Sequence, residues 1–495
     1  MTTEVAMPTR LQSQSGPVQS RRWLVLAIVA LAQLMVILDG TIVLVALPHA
    51  QKALQISNAN RQWAVTAYAL AFGGFLLLGG RIADYTGRKR IFLIGLAGFA
   101  AASAFGGAAQ SGDWLFGARA LQGAFAALLA PAALSIVTTT FTDGVERVRA
   151  FAIYGAVSAS GGALGLLLGG ALTQYLSWRW TLLVNTPIAI IAGVAAVRFV
   201  SESKASGKTR YDVPGAASST LGLVSLVYGF SKAGIDGWGS TTTLGFLAIG
   251  VALLIVFVIV EFRSSQPLLP LQIVLDRTRG GANLAAIAIG AAVVGGFLFL
   301  IYYLQGTLGY SPMKTGLATV PMAIAIFPAV AIATPLMSRI GPRPIMTVGG
   351  IIAAAGLLVL SLSTVSSGYG IHVLPAELML GFGMGLLFTP LQNLATLGVR
   401  GNDAGASSAL VNASQQIGSA LGAAVFNTFF VSAVASYITS HPATHTVQAY
   451  ALVHGYDKAF LVGAIAALLA AGFSAFLIHA ERDELTAASA VPVPA

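Results

Sequence analysis

Apolar stretches long enough to cross a bilayer follow one another along the whole chain, separated by short polar segments. A helix needs about 20 mainly apolar residues to span a hydrocarbon core about 30 Å thick. The pattern therefore predicts fourteen membrane-spanning helices, of which the seventh is the weakest because serine and glycine dilute it. The predicted spans are 23–47, 62–80, 91–110, 114–140, 150–176, 180–200, 213–232, 243–262, 281–305, 316–338, 344–364, 374–397, 407–436 and 458–479.

Composition agrees with this pattern and excludes several function classes. Of the 495 residues, 56% are hydrophobic and 9% are charged, whereas about a quarter of the residues of a soluble domain are charged. The composition therefore predicts an integral membrane protein surrounded by the lipid bilayer. The absence of cysteine excludes disulfides, thiolate nucleophiles and zinc-thiolate sites. The net charge of +10 does not indicate a nucleic-acid partner, because the basic residues lie in short loops and no basic domain with interleaved aromatic residues is present.

The distribution of basic residues predicts the orientation. Twenty of the 27 lysines and arginines fall in one set of segments between the spans, and six fall in the opposite set. Cytoplasmic loops carry the excess of lysine and arginine. Since the number of spans is even, both termini are predicted to be cytoplasmic. Arg21 and Arg22 precede a run longer than a signal-peptide core, which predicts an uncleaved first span.

An internal repeat predicts the domain organisation. The polar turn at 80–90, between the second and third spans, has a counterpart at 338–343, between the tenth and eleventh. The predicted order is a cytoplasmic tail (1–20), a six-helix bundle (21–200), a linker with two inserted helices (201–279), a second six-helix bundle (280–480) and a cytoplasmic tail (481–495).

Asp39 is the only ionisable residue between Trp23 and Pro48. An acid inside a membrane span is costly unless it is paired, hydrated or protonated, so it usually has a function and faces the protein interior. The alternative is a shorter span that begins after Asp39, but this leaves only 42–47 as its apolar part. We therefore predict that Asp39 takes part in proton coupling.

Arg119 is the only basic residue well inside a predicted span. At about 1.5 Å per residue, Asp39 and Arg119 both lie in the outer half of the membrane. A nearby arginine favours the charged carboxylate and burial favours the neutral acid, so making and breaking the pair would change how readily Asp39 binds a proton. The alternative is a static ion pair that holds two helices together.

The turn between the second and third spans is a candidate conformational latch. It contains Gly80, Asp84, Gly87, Arg88 and Lys89. The glycines permit a tight turn, and the aspartate can either cap a helix N-terminus or pair with a base. The alternative is an ordinary basic cytoplasmic loop.

These motifs together resemble the fourteen-span drug:proton antiporter branch of the major facilitator superfamily. The loop at 80–89 is similar to G-x-L-A-D-R-x-G-R-K, with Ile82 and Tyr85 as departures. The segment 38–48 is similar to L-D-x-T-I-V-N-V-A-L-P, with Leu44 in place of asparagine. The R-x-x-Q-G motif matches 119–123, and the W-R-W and N-x-P motifs match 178–180 and 185–187.

The fifth span carries the glycines of the family's antiporter motif, G-P-x-x-G-G. They are Gly165, Gly169 and Gly170, while Leu166 replaces the proline. Small residues allow helices to pack backbone to backbone in lipid. The missing proline places the usual kink of this helix in doubt.

The resemblance implies an all-α integral membrane fold with two pseudo-symmetric six-helix bundles and two extra central helices. It also implies a secondary active transporter of the bacterial plasma membrane, which exports hydrophobic or amphipathic drugs, antibiotics or toxic metabolites in exchange for protons by alternating access. No cofactor is expected. There is no G-x-x-x-x-G-K-[ST] motif, so a proton gradient is the expected energy source.

Candidate substrate contacts are polar residues within the spans, each of which can instead form a hydrogen bond between helices. In the second half no acid falls inside spans 9, 10, 11 or 13, and Glu377 is expected at the headgroup level. With one deep carboxylate, the cavity suits a neutral or monocationic substrate. No metal site is predicted, because Pro442 disfavours a shared helix for His441 and His445. The candidate cavity residues are Gln122, Gln305, Gln392, Asn393, Asn412, Gln415 and Gln416.

Two other functions are compatible with parts of the sequence. An uncoupled facilitator or importer of a small metabolite would have the same architecture. An intramembrane enzyme would need a nucleophile and base or a metal cluster within the spans, and no cysteine, HExxH motif or histidine within a span supplies one. We therefore predict that the protein is not an enzyme.

Overall fold

The computed structural model describes residues 17–141, 144–204, 212–264, 267, 275–396, 404–442 and 446–479. All regular secondary structure in these ranges is helical. Two π-helical turns, Tyr303–Thr307 and Tyr369–Val373, lie beside the α-helices. The α-helices are α1 (Pro17–Ala53), α2 (Trp63–Thr86), α3 (Arg88–Gly107), α4 (Gly112–Thr140), α5 (Gly144–Tyr175), α6 (Trp180–Leu183), α7 (Asn185–Phe199), α8 (Val213–Asp236), α9 (Thr241–Arg263), α10 (Arg277–Tyr302), α11 (Pro312–Ala318), α12 (Val320–Ile340), α13 (Pro342–Leu360), α14 (Leu374–Thr396), α15 (Ala404–Ser440) and α16 (Val447–Leu477).

Fourteen helical segments in the described part of the chain are long and apolar enough to cross a membrane, which confirms the predicted number. The sixth span combines α6 and α7, and the tenth combines α11 with most of α12. The last helix begins at Val447 rather than near 458. His454, Asp457 and Lys458 interrupt the apolar pattern there, but the helix continues through them.

The helices form two packed sets with two further helices added. In the first set, α4 packs against α2 and α3, and α1 packs against α5 and α7. In the second, α10 packs against α15 and α16, and α14 packs against α12 and α13. Helix α8 contacts α2, α15 and α9, so the inserted pair joins both sets through α8. The exact domain boundaries stay predictions, and the two tails fall mainly outside the described residues.

Hydrogen bonds join the two helix sets at the end that the basic residues predict to be outer. The Gln305 amide donates to the Val45 carbonyl (2.9 Å), and the Tyr302 hydroxyl donates to Gln51 Oε1 (2.6 Å). The Met313 amide nitrogen donates to the side chain of Gln174 (3.0 Å). The conformation described is therefore closed at the predicted outer end.

Glycines of α5 allow its backbone to approach neighbouring helices closely. A Cβ at Gly165 would collide with Thr41 of α1, and one at Gly169 would lie 2.6 Å from the Ile42 carbonyl oxygen. Gly170 faces the other helix set, where a Cβ would lie 2.6 Å from the Pro312 carbonyl of α11. The three antiporter-motif glycines thus pack α5 against α1 and against α11 at the same time.

Candidate functional site

Asp39 lies on α1 with 0% of its surface exposed and is surrounded by hydrogen-bond donors. Its Oδ2 is 2.5 Å from a terminal guanidinium nitrogen of Arg119 on α4. Its Oδ1 accepts from the side-chain amides of Gln122 (3.0 Å) and Asn185 (2.7 Å). Three donors from α4 and α7 therefore compensate a carboxylate on α1, as burial of a charge requires.

Arg119 is similarly buried and has acceptors around its guanidinium group. Its Nε donates to the Ala64 carbonyl (2.9 Å), and a terminal nitrogen donates to Gln122 Oε1 (2.9 Å). The guanidinium carbon lies 4.4 Å from the centroid of the Tyr68 ring, a distance typical of cation–π contacts. Gln122 also donates to Ser103 Oγ on α3 (2.6 Å). The buried pair thereby connects α1, α2, α3, α4 and α7.

The hydrogen-bond pattern around Asp39 fits the ionised carboxylate, because each of its contacts comes from a donor. A protonated Asp39 would need an acceptor instead. Asn185 Oδ1 is buried and has no hydrogen-bond partner among the described residues. Rotation of the Asn185 amide by half a turn would exchange its nitrogen and oxygen and present this acceptor to the carboxyl group.

The structure brings together Asp39 and Arg119, the two charges that the sequence placed at similar depth. Gln122, predicted as a cavity residue, lies in this cluster and is fully buried. Sequence reasoning did not assign Asn185, Ser103 or Tyr68 to the site. A signal for Asn185 was available, since it begins the N-x-P motif. The proton-coupling roles of Asp39 and Arg119 stay predictions.

At the predicted cytoplasmic end, the candidate latch forms contacts within the first helix set. Of the two alternatives for Asp84, the structure shows the pairing with a base: its Oδ1 is 2.9 Å from a terminal nitrogen of Arg88 and accepts from the Ser135 hydroxyl of α4 (3.4 Å). Lys89 Nζ donates to the Val197 carbonyl (2.8 Å). Gly80 faces Pro131 of α4 at ordinary contact distance.

The N-terminus of α3 is capped by Glu202, which sequence reasoning missed. Its two carboxylate oxygens accept from the backbone nitrogens of Lys89 and Arg90, both at 3.0 Å. A carboxylate is favoured there by the unpaired N–H groups and the helix dipole. Gly87 has φ +128°, and a Cβ on it would lie 2.9 Å from the Glu202 carboxylate. Glu202 lies more than a hundred residues away in sequence, so no local pattern indicates the contact.

The predicted cavity residues of the second helix set differ in burial and in their contacts, and their role in a cavity stays a prediction. Gln305 bonds to α1 across the outer contact, and Gln416 packs against Gly73 of α2. Asn393 donates to the Thr389 carbonyl within its own helix (2.8 Å). Gln415 is half-buried, while three of the predicted residues are exposed, namely Gln392, Asn393 and Asn412.

Arg61 is a buried charge that the sequence placed in an outer loop. Its side chain is 1% exposed and, among the described residues, has no carboxylate partner. The guanidinium carbon lies 3.9 Å from the ring centroid of Tyr302, 4.4 Å from Phe430 and 5.2 Å from Phe299. Its Nε donates to Asn427 Oδ1 (3.4 Å). Aromatic faces of the second helix set therefore stabilise a cation from the first.

Two acids of the second half have buried carboxyl oxygens, while the headgroup-level position expected for Glu377 stays a prediction. Glu377, expected at the headgroup level, is 0% exposed. Asp457, placed before the last predicted span, lies within α16 and has one buried oxygen without a partner among the described residues. Asp457 lies within the helix because α16 begins at Val447, before its apolar run does. Asp39 is therefore not the only buried carboxyl group in the helices.

The structure gives only part of the histidine-rich outer segment. His441 stacks on Tyr437, with ring centroids 3.9 Å apart. His445, its possible metal-binding partner in the sequence, lies outside the described residues.

The many apolar spans, the two packed helix sets and the compensated ion pair between helices define a multi-pass membrane protein. The Major Facilitator Superfamily model matches residues 29–423, and the chain belongs to this family. Solved structures of the same fold include an inward-facing bacterial homologue of the human lysosomal transporter Spinster, with a TM-score of 0.64, 17% identity and coverage of 96% of this chain and 98% of that one. The nucleoside transporter NupG matches with a TM-score of 0.60, 13% identity and coverage of 91% and 98%.

The chain is also similar to antibiotic resistance and export proteins. It is 44% identical to the puromycin resistance protein pur8 of Streptomyces alboniger, over 98% of each chain. It is 41% identical to the cephamycin export protein CmcT of Amycolatopsis lactamdurans, over 81% of this chain and 84% of the relative. The multidrug efflux pump LfrA of Mycolicibacterium smegmatis is 30% identical, over 83% and 82%. As a member of the Major Facilitator Superfamily, the protein is a transporter and not an enzyme.

Proposed function

We propose that the protein exports a hydrophobic or amphipathic compound, such as an antibiotic or toxic metabolite, across the bacterial plasma membrane in exchange for protons. The observation that carries this proposal is the buried Asp39–Arg119 pair, with Gln122 and Asn185 around the carboxylate. A buried acid beside a buried base is a site where binding one proton changes the local charge balance. Both termini are cytoplasmic in this proposal, and the proton gradient takes the place of a cofactor.

Protonation of Asp39 would weaken its attraction to Arg119 and change the contacts of α1. The helix lies against α5 through Gly165 and Gly169, where backbones are close enough for small shifts to be transmitted. Gly170 of the same helix contacts α11 in the other helix set. We propose that this continuous path converts protonation at Asp39 into opening or closing of the outer contact.

The burial of Asp39 determines how proton and substrate compete in this proposal. Asp39 is 0% exposed, so no substrate touches it in the conformation described. Proton and substrate would therefore compete through alternative positions of α1 rather than by contact with one carboxylate. The latch at Asp84 and Arg88 would stabilise one of these positions at the cytoplasmic end.

Puromycin is a suitable first substrate probe, because the relative with 44% identity is a puromycin resistance protein. Purified protein in proteoliposomes should accumulate radiolabelled puromycin when a proton gradient is imposed. Asp39→Asn should abolish this gradient-driven uptake while retaining exchange of labelled for unlabelled puromycin, since the amide cannot release a proton. Asp113→Asn is the matched control, because Asp113 is an exposed acid at the start of α4.

Two results would contradict the proposal. Gradient-driven uptake that is unchanged in Asp39→Asn would remove Asp39 from the coupling mechanism. Wild-type transport that ignores the imposed proton gradient would favour an uncoupled facilitator or importer.

A further inference from the structure

We propose that Glu377 is a second proton-binding site, which communicates with the predicted outer side through Tyr369 and controls the docking of α11 on α5. This inference rests on the proposed proton-driven function and adds a second carboxyl group to it. Nothing in the mechanism above uses Glu377, although it is a fully buried acid.

The hydrogen bonds of Tyr369 indicate the protonation state of Glu377. The tyrosine hydroxyl lies 2.7 Å from the Ala318 carbonyl oxygen and 3.0 Å from Glu377 Oε2. A phenol carries one proton and can donate it to one of these oxygens. The carbonyl can only accept, so the shorter contact uses the tyrosine proton. The contact with Glu377 is then a hydrogen bond only when the carboxylic acid donates its own proton to the tyrosine oxygen.

Loss of the proton from Glu377 would rearrange this set of contacts. The carboxylate would take the tyrosine proton as its hydrogen-bond donor, and the Ala318 carbonyl would lose its partner. No basic side chain forms an ion pair with Glu377 among the described residues. Its Oε1 is also buried without a hydrogen-bond partner in this part of the chain. The site therefore favours the neutral acid in the conformation described.

Tyr369 provides the connection to the predicted outer surface. It is half-buried and lies between the exposed residues Gly368 and Gly370 at the start of the twelfth span. Among the titratable groups that the structure describes on surrounding elements, only Tyr369 bonds to Glu377. The Tyr310 ring lies behind Tyr369 at 6.3 Å, with Lys314 Nζ 3.7 Å from the Tyr310 centroid. The other titratable residues at this end of the helix set are Tyr303, His372 and Asp457.

Ala318 links the site to the contact between the helix sets. It is the last residue of α11, the short helix that docks on α5. A Cβ at Gly316 of α11 would lie 2.6 Å from the Leu166 carbonyl of α5. At the other end of this contact, Gln174 accepts from the Met313 backbone nitrogen. Protonation of Glu377 thus stabilises the closed outer end, and its deprotonation would release the end of α11.

Infrared difference spectroscopy of the purified full-length protein tests the proton site without a transport assay. Titration in the wild type should show the carbonyl stretch of a protonated, buried carboxylic acid. Glu377→Gln should lose that band, and Tyr369→Phe should keep it at a shifted frequency because a hydrogen bond is lost. Tyr303→Phe is the matched control, since Tyr303 donates to the Thr364 carbonyl (2.9 Å) and does not contact Glu377. A spectrum that is identical in wild type and Glu377→Gln would overturn the inference.

Cross-linking tests the link to docking. The chain contains no cysteine, so Gln174→Cys with Met313→Cys introduces a single reactive pair. In the parent background, cross-linking should fall as the pH rises through the titration of the infrared band. With Glu377→Gln it should follow only the pH dependence of the thiol chemistry. Equal pH profiles in the two backgrounds would overturn control of docking by Glu377.

These experiments separate the two proposals. If wild-type puromycin transport ignores the proton gradient, the proposed function fails whatever the infrared band shows. If transport is proton-driven but the Glu377 band is missing, the proposed function stands and the second proton site is overturned.

Discussion

Arg119→Gln tests the energetics of the buried pair, because it removes the cation and leaves the carboxylate of Asp39 in place. The carboxylate is 0% exposed and the arginine side chain 1% exposed, with 2.5 Å between the charged atoms. Removing one partner of such a pair costs about 3–5 kcal/mol, since the remaining charge is buried without compensation. We expect Arg119→Gln to lower the free energy of unfolding by about this amount.

Protonation of Asp39 limits how much free energy of unfolding Arg119→Gln can lose, and it makes that loss depend on pH. Adding a proton at pH 7 to a carboxyl group of ordinary aspartate acidity costs about 4 kcal/mol. The folded variant would then hold a proton that the unfolded chain has released, so its stability falls as pH rises. Between pH 7 and pH 5 the loss should therefore shrink by about 1.4 kcal/mol per pH unit.

A double-mutant cycle with Asp39→Asn isolates the interaction between the two side chains. In the double variant neither charge remains, so its loss of stability should be smaller than the sum of the two single losses, by about 0.5–3 kcal/mol. Denaturant titration of the four proteins in detergent, followed by tryptophan fluorescence, measures these differences. Additive losses, or a loss in Arg119→Gln that does not change with pH, would refute the reasoning.

Three further variants should change stability in the same titration. Gly165→Ala should lose about 1–3 kcal/mol because its methyl group collides with α1. Gly162→Ala serves as the neutral control, because no described atom outside its own helix backbone lies within 4 Å of the added Cβ. Gly87→Ala should lose about 1–2 kcal/mol, because φ is +128° and its Cβ meets Glu202; unchanged stability would contradict the strained turn. Arg61→Lys should lose about 1–2 kcal/mol, since an ammonium group cannot stack on the aromatic rings as a planar guanidinium does. Equal stability of Arg61→Lys and wild type would show that the aromatic contacts contribute nothing.

The sequence was sufficient to predict the fourteen spans and the two residues of the buried ion pair. The apolar runs are continuous over the length of a bilayer, and this signal is local. A charge within such a run is conspicuous for the same reason, so the amino-acid sequence alone identifies Asp39 and Arg119. Their common depth followed from the fixed rise of a helix.

Local patterns were less informative about helix ends. Glu377 lies in the first turn of α14, and Asp457 lies beside Lys458, where the apolar signal stops but the backbone of α16 stays helical. The sequence therefore placed both acids near the membrane surface. In the structure, neighbouring helices enclose Glu377 completely and leave one oxygen of Asp457 buried without a partner among the described residues.

The remaining features depend on contacts between residues far apart in the chain. Glu202 caps a helix that begins more than a hundred residues before it, and Arg61 and Asn427 are 366 positions apart. Side-chain identity alone shows neither which helices become neighbours nor which rotamers bring these groups together. The sequence by itself determined where the chain crosses the membrane and which charges are costly there. Only the tertiary structure decided how each of those charges is compensated, because that depends on donors, acceptors and aromatic rings from other helices.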